Sequence, residues 1–256
     1  MKLTLLGTGT SGGVPQIGCR CSTCISSDPR DRRTRCSALV ETADACVLID
    51  CGPDFRQQML ALNRPFRKID SIFITHEHYD HVGGIDDIRP GMLFGDVRIY
   101  AEDIVSEHLR QRIPYCFTPE DKRYPGVPAI SLLHMEPHVP VRVGSLDIMP
   151  IRVMHGRLPI VGFRIGSLTY ITDMSEFPDS EWQYIEGTEI LVVNALHHRV
   201  HRSHQTVNEA VLFAQRVGAR ETYFIHMSHF VLPHEQEEAL LPPHIHLGYD
   251  GMVLDI

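Results

Sequence analysis

Short apolar runs broken by turn residues recur along the whole chain, and among them lie three stretches whose apolar positions repeat at helical spacing. The runs predict strands over 2–7, 37–41, 46–50, 71–75, 97–100, 146–154, 162–165, 169–172, 190–194 and 222–226. Helices are predicted over 53–62, 102–112 and 206–217, the last with Thr206 or Gln205 near its N-terminus and Gly218 as its stop. Strands and helices in alternation predict a layered α/β sandwich. There is no internal repeat, low-complexity tract or linker-like shift in composition, so residues 1–256 are expected to form one domain.

Composition adds little to that picture. With 43% hydrophobic and 22% charged residues over 256 positions, the chain has the material for a large buried core. No apolar run reaches 18 residues, and the start MKLTLLGTGT has neither the length nor the basic region of a signal peptide. A cytoplasmic protein without membrane partners is expected. The net charge of −8 provides no general surface for nucleic acid. Seven cysteines, three of them at Cys19, Cys21 and Cys24, favour a metal site in a reducing compartment over a disulfide framework.

The chemistry concentrates in THEHYDHVGG at 75–84, where His76, His78, Asp80 and His81 offer four metal-binding side chains just after a predicted strand. Open α/β sheets place their chemistry at such strand ends. Imidazole mixed with carboxylate suits a hydrolytic divalent centre better than a thiolate electron-transfer site, and accepts zinc or manganese alike. The same rule, a ligand type where a predicted strand ends, selects His155, Asp173 and His226.

With these seven positions the chain resembles the metallo-β-lactamase superfamily, whose HxHxDH motif is followed by a distant His, an Asp and a last His. The resemblance implies an αββα sandwich, two mixed sheets flanked by helices, with a dinuclear centre between the sheets. It implies His76, His78 and His155 on a first ion, Asp80, His81 and His226 on a second, and Asp173 bridging both. A finer resemblance, carried by LGTGTSGGVPQIGCRCSTC and by HMSH at 226–229, is to the PhnP phosphodiesterases of the carbon–phosphorus lyase pathway. It implies a structural zinc on Cys19, Cys21, Cys24 and His229, a closed tetrahedral set with no catalytic position. It also implies a histidine before the last helix that assists the leaving group; His204 fits that place, with His201 as the other candidate.

Two divalent ions, two aspartates and a bridging hydroxide leave one net positive charge, which suits a phosphodiester monoanion and the charge that develops as it is cleaved. The expected enzyme is therefore a dinuclear metal-dependent phosphodiesterase acting on a small phosphodiester, cyclic ones included. A homodimer is the default oligomer. A tRNase Z-like nuclease would need a basic RNA-gripping arm, which the sequence lacks. A PqqB-like cofactor-biosynthesis protein shares the N-terminal stretch, but the full ligand set favours hydrolysis. A non-enzymatic metal-holding module is disfavoured by the same set, and glyoxalase II-like thioesterases by the cysteine motif. Flavodiiron oxidoreductases carry glutamate where His78 stands.

Secondary features are weaker. The loop around Gly7, Gly9, Gly12 and Gly13 allows close backbone approach to an anion or ligand, but lacks a Walker lysine. Asp50 is placed to buttress a ligand histidine. Arg30, Arg32, Arg33 and Arg35, and the other histidines of the 197–204 segment, read as solvated loops. Asp86, Asp87 and Arg89 fit a pocket wall or a helix cap equally. His134, His138, His234, His244 and His246 have no metal-like spacing.

Overall fold

The computed structural model describes residues 1–94, 96–124 and 126–256, with the backbone alone at 90–94 and 120. Its strands are β1 (Lys2–Gly7), β2 (Ser37–Glu41), β3 (Cys46–Ile49), β4 (Ser71–Phe73), β5 (Val97–Ala101), β6 (Ile130–His134), β7 (Val141–Val143), β8 (Leu146–His155), β9 (Leu158–Ile165), β10 (Leu168–Ile171), β11 (Ile190–Asn194), β12 (Glu221–Ile225), β13 (Ile245–Leu247) and β14 (Val253–Asp255). They form two seven-stranded sheets, ordered β14-β1-β2-β3-β4-β5-β6 and β13-β12-β11-β10-β9-β8-β7. Each is mixed. The run from β3 to β6 and the run from β10 to β13 are parallel, while the remaining neighbours pair antiparallel.

The helices are α1 (Phe55–Ala61), α2 (Tyr79–Val82), α3 (Asp103–Arg112), α4 (Trp182–Ile185), α5 (Val207–Val217) and α6 (His234–Glu238). Three apolar clusters explain the layering. One, with Leu3, Val47, Phe73, Phe163 and Val192, lies between the sheets. A second joins the outer face of the first sheet to α1 and α3 through Leu48, Phe55, Ile99 and Leu109. The third joins the outer face of the second sheet to α5 through Leu191, Val193, Ala210 and Phe213. The result is the expected αββα sandwich. Among the described residues no helix is long and apolar enough to cross a membrane.

Local sequence explains several boundaries. Thr206 caps α5 by accepting from the Glu209 amide, while the Glu209 carboxylate accepts from the Thr206 amide, and Gly218 ends the helix at φ 69°. Phe73 is fully buried just ahead of the ligand loop, stacked on Tyr100 at 4.8 Å and edge-on to Phe163 at 5.7 Å. Such aromatic pairs are each worth about 1 kcal/mol beyond area burial, so the loop leaves a rigid strand.

The structure also departs from the sequence reading. β9 begins at Leu158 because it forms a tight hairpin with β8, pairing His155 with Leu158. β4 stops at Phe73 because the Thr75 amide is taken by the Asp50 carboxylate instead of a strand partner. The missed strands β7, β13 and β14 have three residues each, too few to establish a period; β6 is the partly exposed edge of its sheet.

Candidate metal centre

Most of the ligand-type residues sit where parallel strands of the two sheets end, and His155 ends the antiparallel strand β8. His76 and His78 follow β4, and Asp80 and His81 lie in the single turn of α2. Asp173 follows β10, His226 follows β12 and His155 closes β8. Asp50, Asp173 and His226 have φ values of 57°, 58° and 57°, in the left-handed region, at the ends of three parallel strands. This backbone costs about 1–3 kcal/mol per residue and clusters at functional sites, where the surrounding fold over-determines it. Gly52 makes room for the ligand turn: a Cβ there would stand 2.1 Å from the Asp80 carbonyl oxygen.

The seven residues converge into two overlapping groups, His76, His78, His155 and Asp173 in one, Asp80, His81, Asp173 and His226 in the other. Within each, one donor atom per residue lies within 4.8 Å of all the others. Asp173 is shared: its Oδ1 is 3.1 Å from His226 Nε2 and 3.3 Å from His81 Nε2, and its Oδ2 is 3.8 Å from His76 Nε2. Asp80 Oδ2 reaches His81 Nε2 at 3.3 Å and His226 Nε2 at 3.6 Å. His76 Nε2 and His78 Nδ1 are 3.0 Å apart.

Buried ring nitrogens test whether the cluster fits divalent ions. His81 Nε2 and His226 Nε2 are shielded from solvent and have no hydrogen-bond partner. Two inward-facing nitrogens left unpaired beside two carboxylates are what a cation would satisfy. Electrostatics agrees. Burial alone would raise the Asp173 carboxyl, but His226 and His81 outweigh it and hold Asp173 well below the usual carboxylate range. Burial would likewise depress His81, yet Asp173 and Asp50 hold it well above the usual imidazole range. Carboxylates that stabilise a proton there stabilise a metal cation in its place. His76 is pushed down by burial and by His81, so it is neutral and able to ligate.

A supporting shell orients these side chains. Asp50, fully buried, accepts from Thr75 N at 2.8 Å and Thr75 Oγ1 at 2.9 Å and sits 2.7 Å from His81 Nδ1, which directs His81 Nε2 into the cluster. His155 Nδ1 is 2.7 Å from the Ser203 carbonyl and 2.8 Å from that of Asp173. Asn194 clamps the turn after Asp173 by bonding both the amide and the carbonyl of Met174. Asn194 and Ser203 carry no sequence signal for a metal site, because they act through backbone neighbours distant along the chain.

Cys19, Cys21, Cys24 and His229 form a separate third group. His229 Nδ1 is 3.2 Å from Cys19 Sγ and 3.5 Å from Cys21 Sγ. The Cys21 amide lowers the Cys19 thiol, whereas burial pushes Cys24 up to about 11. Three thiols and an imidazole match a closed zinc set.

The segment after β11 brings His204 to the centre: its ring stacks on His226 at 4.8 Å and lies 4.6 Å from that of His155. Burial, then His226, presses His204 down to about 2, so it rests neutral. His201 is exposed, 5.1 Å from the His204 ring. Beside them opens a cavity of about 860 Å³ lined by His155, Arg157, Ser175, Arg202, Ser203 and His204 among others.

Two expectations need correction. Arg33 is not in a solvated loop but 2% exposed, because Nη1 donates to Thr8 Oγ1 and to the Gly248 carbonyl, while Nη2 meets His234 Nδ1 at 3.0 Å. His197 is likewise buried; its Nδ1 accepts from the Arg199 amide. The start of the glycine-rich loop packs closely on its own chain: a Cβ at Gly7 would meet the Arg35 carbonyl at 2.0 Å, and Met227 N donates to Thr8 O, which fixes the backbone next to His226. Arg30 pairs with Asp28, Arg35 with Asp54 and Asp86 with Arg89, while Asp87 lines a cavity on the outer face of the first sheet. His134, His138, His244 and His246 have carboxylate partners.

Comparison with known proteins agrees with this arrangement. Residues 46–227 match the family described as the β-lactamase superfamily domain. The chain is 43% identical over 254 residues to an octanoyltransferase of Porphyromonas gingivalis, a match covering 98% of this chain and 51% of that protein. It thus spans about half the length of that curated relative. The crystal structure of a diphosphatase from the PhnP family aligns with a TM-score of 0.90 at 39% identity, over 99% of this chain and 96% of the other. Zinc-bound PqqB from Methylobacterium extorquens aligns with a TM-score of 0.84 at 19% identity over the full length of both, a likeness of fold.

Proposed function

The chain belongs to the β-lactamase superfamily, in its PhnP family, and we propose that this metal-dependent hydrolase cleaves a small phosphodiester or a related phosphoanhydride at a dinuclear centre. The observation that carries the reading is the shared carboxylate: Asp173 faces both ligand groups, so two ions held there would lie side by side within reach of one phosphoryl group. His76, His78 and His155 would hold one ion, Asp80, His81 and His226 the other, with Asp173 on both. His, Asp and no thiolate accept manganese or zinc. Ions bound there supply Lewis acidity and a nucleophile formed from water at neutral pH.

The chain's own residues do the rest. Asp50 keeps His81 in one tautomer, and the Asp173 and Ser203 carbonyls do the same for His155. The open cavity beside His155 admits the organic part of the substrate; Arg157 and Arg202 offer guanidinium donors to an anionic ester, while Glu176 and Glu209 on the same lining balance their charge, so the attraction for the phosphoryl group comes from the metal centre. His204, neutral in the free pocket, gains a proton-favouring neighbour when an anionic phosphoryl group enters, and is then placed to protonate the leaving oxygen. The cysteine cluster would hold a structural zinc that secures the loop at 19–24 to His229. A thioester reading has one point in its favour, the name of the Porphyromonas gingivalis relative; half of that longer protein lies outside the match.

The reading is tested by removing metal from the protein with a chelator and restoring manganese or zinc while following a chromogenic phosphodiester. Turnover should vanish and return; turnover that survives complete metal removal would overturn it. His204→Ala should lower kcat by about 10²-fold or more while metal content and KM change little. A wild-type rate would move proton donation to His201 or to water.

A further inference from the structure

The outer face of the first sheet holds a cavity of about 280 Å³ that shares no residue with the metal centre or with the cavity beside it. Its walls include Leu39 from β2, Phe55 and Met59 from α1, and Leu62 and Phe66 from the loop that follows. Cys46 from β3 also lines it; the thiol sits 3.9 Å from Glu41 Oε1. At this size the cavity lies near the lower end of those that hold small organic ligands.

We propose that this cavity binds a medium-chain alkyl carboxylate, with the chain against the sheet and the carboxylate at Arg56, Arg64 and Arg67. The walls decide the body of the ligand. Besides the Cys46 thiol, the polar side chains on the lining are the charged Arg56, Arg64, Arg67 and Asp87, and the rest is apolar, so a ligand with one anionic end and a saturated body matches it, whereas a ligand hydroxylated along its length would bury polar atoms against Leu39, Phe55, Met59 and Leu62. The charged residues decide its head. Arg64 and Arg67 share one carboxylate, Glu41, at 2.8 Å and 3.5 Å, and Arg56 has no ion-pair partner among the described residues. Against these three guanidinium groups stand Glu41 and Asp87, which leaves one positive charge in excess and calls for a monoanion. Leu60, 62% exposed, flanks the opening on α1 and adds apolar surface that an entering chain would cover.

Calorimetric titration of the full chain with hexanoate, octanoate, decanoate, octanol and octyltrimethylammonium tests the site. Carboxylates should bind saturably at one per chain, tightening about fourfold per added methylene until the cavity is full. Octanol should bind at least tenfold more weakly than octanoate, and the cation should not saturate. Met59→Trp, which fills the cavity, should weaken octanoate at least tenfold, and Arg56→Gln should weaken octanoate but not octanol. Both variants should keep wild-type phosphodiester turnover. Absence of saturable carboxylate binding would overturn the proposal. So would equal binding of the three octyl compounds, or octanoate binding indifferent to Arg56→Gln and to a folded Met59→Trp.

Discussion

Asp173→Ala is expected to lower phosphodiester turnover by about a thousandfold or more and to empty the His/Asp centre, because it removes the one side chain that faces both ligand groups. The carboxylate is 2% exposed and lies within 4 Å of ring nitrogens from His76, His81 and His226. Without it the two groups lose their common edge, and His81 and His226 face the cavity with Asp80 alone. Elemental analysis of the purified variant should retain the zinc assigned to the thiol cluster and little else. Asp173→Asn should retain the shape and much of the stability but not the activity, since a neutral amide cannot balance two cations. Turnover within about tenfold of wild type in either variant would mean that the shared carboxylate is not the organising element of the centre.

The second large effect concerns stability. Cys21→Ser should remove about one zinc per chain and lower Tm by about 10 °C, while the His/Asp residues keep their ions. Structural zinc contributes about 10–16 kcal/mol in small zinc-dependent peptides. Here a zinc on the cysteine cluster would secure one loop of a sandwich with a large core of its own, so a loss near 3 kcal/mol is the appropriate scale, and for a chain of this size each kcal/mol moves Tm by about 2–4 °C. The cysteine cluster lies close to the His/Asp centre: His229 is three positions from His226, and Phe230 packs on His229 at 4.0 Å and on His197 at 5.9 Å. A modest fall in turnover should therefore accompany the fall in Tm. Unchanged zinc content and unchanged melting, measured by elemental analysis and calorimetry, would show that the cysteines are ordinary reduced thiols.

What could be read in the sequence follows a physical rule. His76, His78, Asp80 and His81 were legible because four ligand types share one short segment behind a buried strand, a coincidence that needs no knowledge of the rest of the fold. Asp173 and His226 were legible because parallel strands present their ends on one side of a sheet, so a ligand type at a strand end is already a spatial statement; His155 was selected by the same strand-end rule, although it closes β8, which is antiparallel to both its neighbours. Asp50 belongs with them, one strand over from the ligand loop. Arg33 was not legible. Its charge and its acidic neighbours resemble a solvated loop, and the groups that let it be buried, Thr8, Gly248 and His234, are far from it in sequence. The same holds for Asn194, whose clamp on Met174 depends on two adjacent parallel strands. The three-residue strands at the sheet margins were invisible for a different reason: a period of two cannot be established in three residues. The cavity beneath α1 is likewise a product of tertiary packing, since Leu39, Phe55 and Phe66 look like any other apolar positions in the sequence.

The most direct test compares substrates on metal-loaded protein: a chromogenic phosphodiester against the matching phosphomonoester, an octanoyl thioester and a lactone, each with manganese and with zinc. Diester turnover that exceeds the other three by orders of magnitude and disappears in Asp173→Ala is the predicted result. Diester silence together with metal-dependent thioester or lactone turnover would contradict the assignment, leaving the fold and the metal centre to serve carbonyl chemistry instead.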